Sequence, residues 1–356
     1  MPLPEALTLF EEPAEAERKA AWEAVNQWTF AHGGELQGFY SELLKRRNQI
    51  ALNLKEKNFI PVGYKKMQRI DYGPEEVKRF RAEIKKYVVP VLSAFRKKQA
   101  ALLGRETVKP WNMLYYPGLS LAPHAVKVDR EIEDAQRLFD RLNPHLGSRF
   151  RDMRKEGLID PVNRPNKVPG AFTTNFDDTK KAFAYCNSTG SWEDIATLTH
   201  EMGHAFQISD SMWIDPIELR WPTSEAAEIH STAMEYLTLP LLTEFFKAED
   251  AAKFRKLRMI DGLTYLPYIA VVDEFQHWVY EHPGQTPAER DAALARNTTW
   301  GSISRATRRP RRSAGSARTT SSRTPSTTST TRSPKRAPSN FSSSIKPTMP
   351  RPWLPT

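Results

Sequence analysis

Two histidines four residues apart, His200 and His204, constrain this chain more than any other feature. They lie in residues 192–208, where apolar side chains recur at helical spacing: Ile195, Leu198, Met202 and Phe206. On a helix, side chains at positions i and i+4 leave from one face, so both imidazoles can reach one metal ion. This segment therefore predicts a helix that holds a metal.

Two residues between the histidines add to this prediction. Glu201 is too constrained to complete the same ligand set comfortably, but its carboxylate can take a proton from a water in the open position. Gly203 costs about 1 kcal/mol in a helix interior relative to alanine. That cost indicates that another element packs closely against the helix at this point.

A catalytic zinc site uses three protein ligands and leaves one position for water. The candidates for the third ligand are four downstream glutamates: Glu218, Glu225, Glu228 and Glu235. Glu228 and Glu235 are two helical turns apart, so one could bind the metal while the other orients a ligand imidazole. His230 should point elsewhere on that helix, and we interpret it as a core or surface histidine.

Composition limits the class of site and the compartment. Cys186 is the only cysteine, so it cannot form an internal disulfide, and the metal must be bound by histidine and carboxylate. No stretch approaches the roughly 18 consecutive apolar residues of a membrane span, and the N-terminus lacks a signal-peptide pattern. We expect a cytoplasmic protein without a membrane partner.

The formal net charge of +10 comes from one end of the chain. Residues 302–356 contain 12 Lys or Arg and no Asp or Glu, whereas the first 301 residues carry 40 basic and 42 acidic side chains. This tail is rich in Ser, Thr, Arg and Pro, a composition that predicts disorder. A basic tail can bind phosphates, but it lacks interleaved aromatic residues, so we expect no specific nucleic-acid partner.

The rest of the sequence predicts a mainly helical protein. Helices are expected at residues 14–30, 34–51, 73–103, 130–142, 223–239 and 251–280, with breaks near Pro90 and Pro267. Residues 170–174 and 182–186 predict a small sheet, joined by the polar turn 177–180. We divide the chain into an N-terminal helical region (1–110), a metal-binding catalytic region (111–301) and the tail (302–356).

Two separated segments then agree in identity and spacing with a known family. Residues 199–207 (THEMGHAFQ) and 228–235 (EIHSTAME) resemble the oligoendopeptidase F branch of the thimet oligopeptidase family, peptidase family M3. Residues 170–174 and the turn 187–190 resemble the same branch. The resemblance covers roughly residues 39–300.

This resemblance implies a zincin-type (gluzincin) helical catalytic domain with a small β-sheet beside the active-site helix. It implies one Zn²⁺ per chain on His200, His204 and Glu228, with Glu201 as general base and Glu235 behind the ligands. It also implies that extended backbone pairs with the substrate near four residues: Ala184, Tyr185, Asn187 and Gly190. The expected activity is hydrolysis of internal bonds in short peptides, and the oligomeric state is left open.

The chain departs from the family at both ends. We expect it to begin partway into the family's pattern, and nothing after Trp300 resembles the family's His- and Tyr-rich segment that stabilises the oxyanion. A one-base shift of codons for residues 325–334 can read Pro-Phe-Tyr-Tyr-Ile-Asp-Tyr-Ala-Ile-Ala, so we hypothesise that the tail is an out-of-frame product. The alternative function is therefore a catalytically impaired zinc-binding fragment of the same family.

Overall fold

The computed structural model describes residues 3–122 and 125–297. The predicted tail, 302–356, lies outside the described residues. Over the described ranges the chain forms helices at Leu3–Thr8 (α1), Glu15–Ala31 (α2), Gly33–Asn53 (α3), Phe59–Lys66 (α4), Pro74–Glu83 (α5), Val89–Leu102 (α6), Glu131–Leu142 (α7), Pro144–Lys155 (α8), Trp192–Ser211 (α9), Ala227–Leu237 (α10), Ala248–Glu281 (α11) and Pro287–Asn297 (α12). Among these residues, no helix has both the length and the apolar character needed to cross a membrane.

The predicted fold class, mainly α with a small sheet, is confirmed. The helices expected at 14–30, 34–51 and 130–142 appear as α2, α3 and α7. The segment 73–103 is divided, as expected near Pro90: α5 passes through a π-helical stretch, Ile84–Val88, into α6, whose first turn holds Pro90. A proline lacks the N–H that a continuous helix uses at this position, and the π-helical stretch before Pro90 marks where the regular hydrogen-bond pattern changes.

The break expected near Pro267 is wrong. Helix α11 runs without interruption through this proline, which is buried inside the helix. A proline in a helix interior costs roughly 3 kcal/mol. Packing on both sides of it outweighs that cost, since α11 contributes Leu257 to one apolar cluster and Val271 to another.

The sheet contains three strands in the order β1-β3-β2. The two runs predicted to form a small sheet appear as strands β2 (Phe172–Phe176) and β3 (Lys181–Ser188), which pair in antiparallel orientation. Strand β1 (Ile159–Val162) pairs parallel to β3 and was missed, because four residues that include Pro161 give little strand pattern. Strand β3 is therefore central, and β2 lies at an edge.

Helix α9 lies between two parts of the core. Leu198, Met202 and Phe206 pack with α7, α8 and β3 in one cluster, and Trp192 and Ile195 join a second cluster with the start of α11. The result is a buried helix whose position is fixed on two sides. The side chains on its remaining face are therefore held in place for chemistry.

Candidate metal centre

The start of α9 is fixed by Asp194. Its buried carboxylate accepts hydrogen bonds from the backbone N–H groups of Thr189, Gly190 and Ser191 at 2.8, 2.7 and 2.8 Å. Burial raises the pKa of Asp194 to about 7, and these three hydrogen bonds oppose the rise. The turn from β3 into α9 is thus tied to the first turn of the helix, where a carboxylate also complements the helix dipole.

Helices α9 and α10 approach closely at Gly203, as the sequence predicted for this position. A Cβ on Gly203 would lie 2.6 Å from Ser231 Cα and 2.8 Å from the His230 carbonyl oxygen. Only a residue without a Cβ fits between the two backbones. This contact brings the acidic residues of α10 opposite the histidines of α9.

Three side chains converge at the crossing. His200 Nε2 lies 3.3 Å from Glu228 Oε2, and His204 Nε2 lies 3.6 Å from the same oxygen. All three candidate ligand atoms lie within 4.8 Å of one another. Ser231 Oγ donates a hydrogen bond of 3.0 Å to Glu228 Oε2 and helps to place this carboxylate.

These distances fit a zinc ion. Metal–ligand bonds of about 2.0–2.1 Å in a tetrahedron separate neighbouring ligand atoms by roughly 3.3 Å, close to the two nitrogen–oxygen distances at Glu228. Two imidazoles and a carboxylate are also a donor set that zinc prefers. The Glu228 side chain is 34% exposed, so the cluster has an open side.

The cluster carries excess negative charge. Burial alone would lower the pKa of His200, but hydrogen bonds to Glu228 and Glu235 and the charge of Glu201 raise it to about 10. A proton on this imidazole offsets the surrounding carboxylates. A divalent cation would offset them more completely, because it interacts with both imidazoles and Glu228 at once.

Glu201 lies beside the cluster and is almost fully buried, at 2% exposure. Thr173 Oγ1, on edge strand β2, lies 2.7 Å from Glu201 Oε2 and 2.9 Å from its carbonyl oxygen. Burial raises the pKa of Glu201, while His200, His204 and the Thr173 hydroxyl oppose the rise. A carboxylate with a raised pKa is a stronger base than an exposed one.

The outer nitrogens of the two histidines have different partners. His200 Nδ1 lies 2.9 Å from Glu235 Oε1, and Arg258 on α11 lies 2.5 Å from Glu235 Oε2. His204 Nδ1 lies 3.1 Å from His230 Nε2. The contact between His204 and His230 was not predicted, because a residue two positions after Glu228 is expected to point away from the helix face that carries Glu228 and Glu235. The close approach of the two helices at Gly203 brings His230 within reach of His204.

The other two candidate ligands lie elsewhere. Glu225 forms an ion pair with Arg69 at 2.6 Å, and Glu218 is exposed in a short 3-10 turn, Ile217–Leu219. Within the described ranges, the group of potential ligands able to hold a metal consists of His200, His204 and Glu228. Of the four glutamates, the structure thus brings Glu228 to the histidines and places Glu235 behind His200.

The four residues expected to pair with substrate form bonds within the chain. Ala184 and Tyr185 lie in β3, paired on both sides, and the Ala184 N–H donates to the Leu158 carbonyl at 2.9 Å. The Asn187 side chain donates to two loop carbonyls at 2.8 Å. The Gly190 N–H donates a hydrogen bond to the Asp194 carboxylate, and the Gly190 carbonyl accepts one from the Val126 N–H. The backbone of Ala184 and Tyr185 is therefore paired within the sheet on both sides, and substrate pairing near the four residues stays a prediction.

Comparisons with known proteins agree with this arrangement. The sequence pattern of peptidase family M3 matches residues 8–306. A solved structure titled PZ peptidase A with an inhibitor is 36% identical, with a TM-score of 0.79 over 84% of this chain and 54% of that one. A solved structure from Bacillus anthracis strain Ames, assigned to oligoendopeptidase F, is 32% identical. Its TM-score is 0.79, over 88% of this chain and 57% of that one.

This chain thus spans little more than half the length of these relatives. A further structure assigned to oligoendopeptidase F is 35% identical over 83% of this chain and 53% of that one, with a TM-score of 0.78. No curated protein sequence matches the chain significantly. The family pattern covers most of the chain, and the chain belongs to peptidase family M3, in its oligoendopeptidase F branch.

Proposed function

We propose that this chain is a zinc-dependent endopeptidase that hydrolyses internal bonds of short peptides. The observation that carries the proposal is the convergence of His200, His204 and Glu228 beside the buried carboxylate of Glu201. His200, His204 and Glu228 would hold one zinc ion. When bound, zinc supplies the Lewis acidity that activates water and polarises a peptide carbonyl.

The remaining steps belong to residues of this chain. Glu201 accepts the proton of the attacking water and returns it to the nitrogen of the leaving amine, so the carboxylate is regenerated. The Thr173 hydroxyl, 2.7 Å from Glu201 Oε2, orients this carboxylate. Burial around Glu201 excludes bulk water and raises its pKa toward the range in which a general base works well.

We place the peptide substrate along the outer edge of β2. The Ala184 N–H points toward β1, so the opposed pair Thr173–Ala184 is a non-hydrogen-bonded pair of the antiparallel ladder. The Thr173 N–H and C=O therefore face away from β3. Among the described residues no strand covers this edge, and an extended peptide can add to such an edge by backbone hydrogen bonds.

Zinc analysis combined with peptide cleavage tests the proposal. We expect about one zinc per chain and cleavage of an internally quenched fluorescent peptide that stops with a chelator and resumes with added zinc. Glu201→Gln should keep its zinc and lose roughly 10²- to 10⁴-fold in kcat. Cleavage by Glu201→Gln at the wild-type rate, or folded protein without zinc, would contradict the proposal.

The same assay separates the active enzyme from the impaired fragment. The catalytically impaired alternative predicts stoichiometric zinc, but a rate lowered by roughly 10²- to 10³-fold for each missing oxyanion donor. The residues after Trp300, where the family has its oxyanion-stabilising segment, lie outside the described residues. The measured rate therefore decides between the two functions. The cytoplasmic location and the absence of a specific nucleic-acid partner stay predictions.

A further inference from the structure

His230 lies directly behind the candidate ligand His204. Its Nε2 is 3.1 Å from His204 Nδ1, and the two rings meet edge to face with centroids 5.1 Å apart. Trp221 packs near both rings, with its centroid 5.7 Å from that of His204 and 6.4 Å from that of His230. The His204 ring therefore lies between Glu228 on one side and His230 with Trp221 on the other.

The orientation of His204 determines which nitrogen carries its proton. Nε2 faces Glu228 at 3.6 Å and belongs to the candidate metal centre, whereas Nδ1 faces His230. A neutral imidazole that gives its Nε2 lone pair to a metal keeps its proton on Nδ1. His204 Nδ1 must then donate, so His230 Nε2 must accept and His230 must carry its own proton on Nδ1.

We propose that His230 is a positioning residue that fixes the ring orientation and the tautomer of His204 by accepting its Nδ1 proton. This inference rests on the proposed zinc function. A residue behind a metal ligand typically changes metal affinity by 10- to 100-fold. The two histidines of the site are thus held by different chemistry: His200 by a carboxylate paired with an arginine, and His204 by a neutral imidazole.

The difference has a consequence for the site's charge. A second carboxylate behind His204 would add to the three that already surround the cluster, Glu201, Glu228 and Glu235. One zinc ion would offset two of these charges, and Arg258 pairs with Glu235, so a further carboxylate behind His204 would add a negative charge without a partner of its own. An uncharged acceptor behind His204 orients the ring without adding that charge, and this is the role that the geometry gives to His230.

Two substitutions distinguish orientation from space filling. His230→Leu removes the acceptor, whereas His230→Gln places an amide oxygen where it can accept the His204 proton. Ile229→Gln, at a neighbouring residue that is 70% exposed, is the matched control. The metal is Zn²⁺ itself, titrated against a chromophoric chelator, and Co²⁺ substitution gives an absorption spectrum that reports ligand geometry without requiring activity.

We expect His230→Leu to bind zinc about 10- to 100-fold more weakly than wild type and to change the Co²⁺ spectrum. His230→Gln should recover most of the affinity, and Ile229→Gln should match wild type. Thermal unfolding of the metal-free proteins checks that the variants fold. Wild-type affinity in folded His230→Leu, or equal losses in the Leu and Gln variants, would overturn the positioning role. Wild-type protein that binds no zinc would overturn the proposed metal site as well.

Discussion

Glu235 connects the candidate ligand His200 to the long helix α11. One carboxylate oxygen lies 2.9 Å from His200 Nδ1, and the other lies 2.5 Å from an Arg258 guanidinium nitrogen. Both partners are largely buried, with side-chain exposures of 7% for Glu235 and 11% for Arg258. The carboxylate is therefore held on both sides and can fix the orientation of the His200 ring.

Glu235→Gln should weaken zinc binding by roughly 10- to 100-fold. The amide can still accept a hydrogen bond, but it lacks the charge that favours proton donation by His200 and it leaves Arg258 less well compensated. Glu225→Gln is the control, since Glu225 pairs with Arg69 away from the cluster. Zinc competition titrations compare the two, and equal affinities in both variants would contradict a role for Glu235 at the metal.

Thr173→Val should lower kcat by roughly tenfold, because the general base loses the hydroxyl that orients it. Zinc content should not change. Thr174→Val on the same strand is the control: the Thr174 side chain leaves from the opposite face of β2. Steady-state peptide cleavage makes the comparison. A larger loss in Thr174→Val than in Thr173→Val would rule out the assigned contact.

Gly203→Ala should destabilise the fold by roughly 1–3 kcal/mol. Its Cβ would meet the backbone of α10 at 2.6 Å, so the two helices must separate. Zinc affinity should fall with stability, since the same separation moves Glu228 from the histidines. Gly38→Ala, in the interior of α3 with nothing within 4 Å of the new Cβ, should instead stabilise by roughly 0.5–1 kcal/mol. Urea unfolding measures both, and a stable Gly203→Ala protein would show that the helices do not approach as described.

Glu131→Gln should make stability less dependent on pH. Burial, and next the charge of Asp194, raise the pKa of Glu131 from 4.5 to about 8, although the Ser188 hydroxyl opposes the rise. The folded chain thus holds a proton that the unfolded chain releases. The stability that protonated Glu131 gives to the folded protein is fully present below about pH 4.5 and is lost as pH rises through about 8.

Urea unfolding of wild type and Glu131→Gln between about pH 5 and about pH 9 makes the test, with the wild type losing more stability as pH rises. Glu133→Gln, on the same helix but with a side chain that is 55% exposed, should follow the wild-type curve. Parallel curves for wild type and Glu131→Gln would show that Glu131 is not protonated in the folded protein.

Local patterns predicted the parts of the site that lie on one helix. The spacing of His200 and His204 with the apolar stripe around them was sufficient to place α9 and its metal-facing side. Gly203 even indicated a close neighbour. Periodicity alone left four glutamates as candidates, and only the packing of α10 on α9 distinguishes Glu228 from Glu225.

Several contacts between distant segments were not predicted. The partner of His204 depends on how α10 crosses α9, and the partner of Glu235 comes from α11. The central position of β3 depends on β1, a short strand that pairs in parallel. Pro267 shows the same limit, because the apolar contacts that keep α11 intact are formed by residues far away in the chain.

The most direct test of the metal centre compares wild type with Glu228→Ala. Zinc content is measured by elemental analysis of folded protein, and cleavage of a quenched fluorescent peptide is followed in parallel. We predict about one zinc per wild-type chain, loss or marked weakening of binding in Glu228→Ala, and peptide cleavage that follows zinc content. Stoichiometric zinc in Glu228→Ala at wild-type affinity, or folded wild type without zinc, would contradict the assignment.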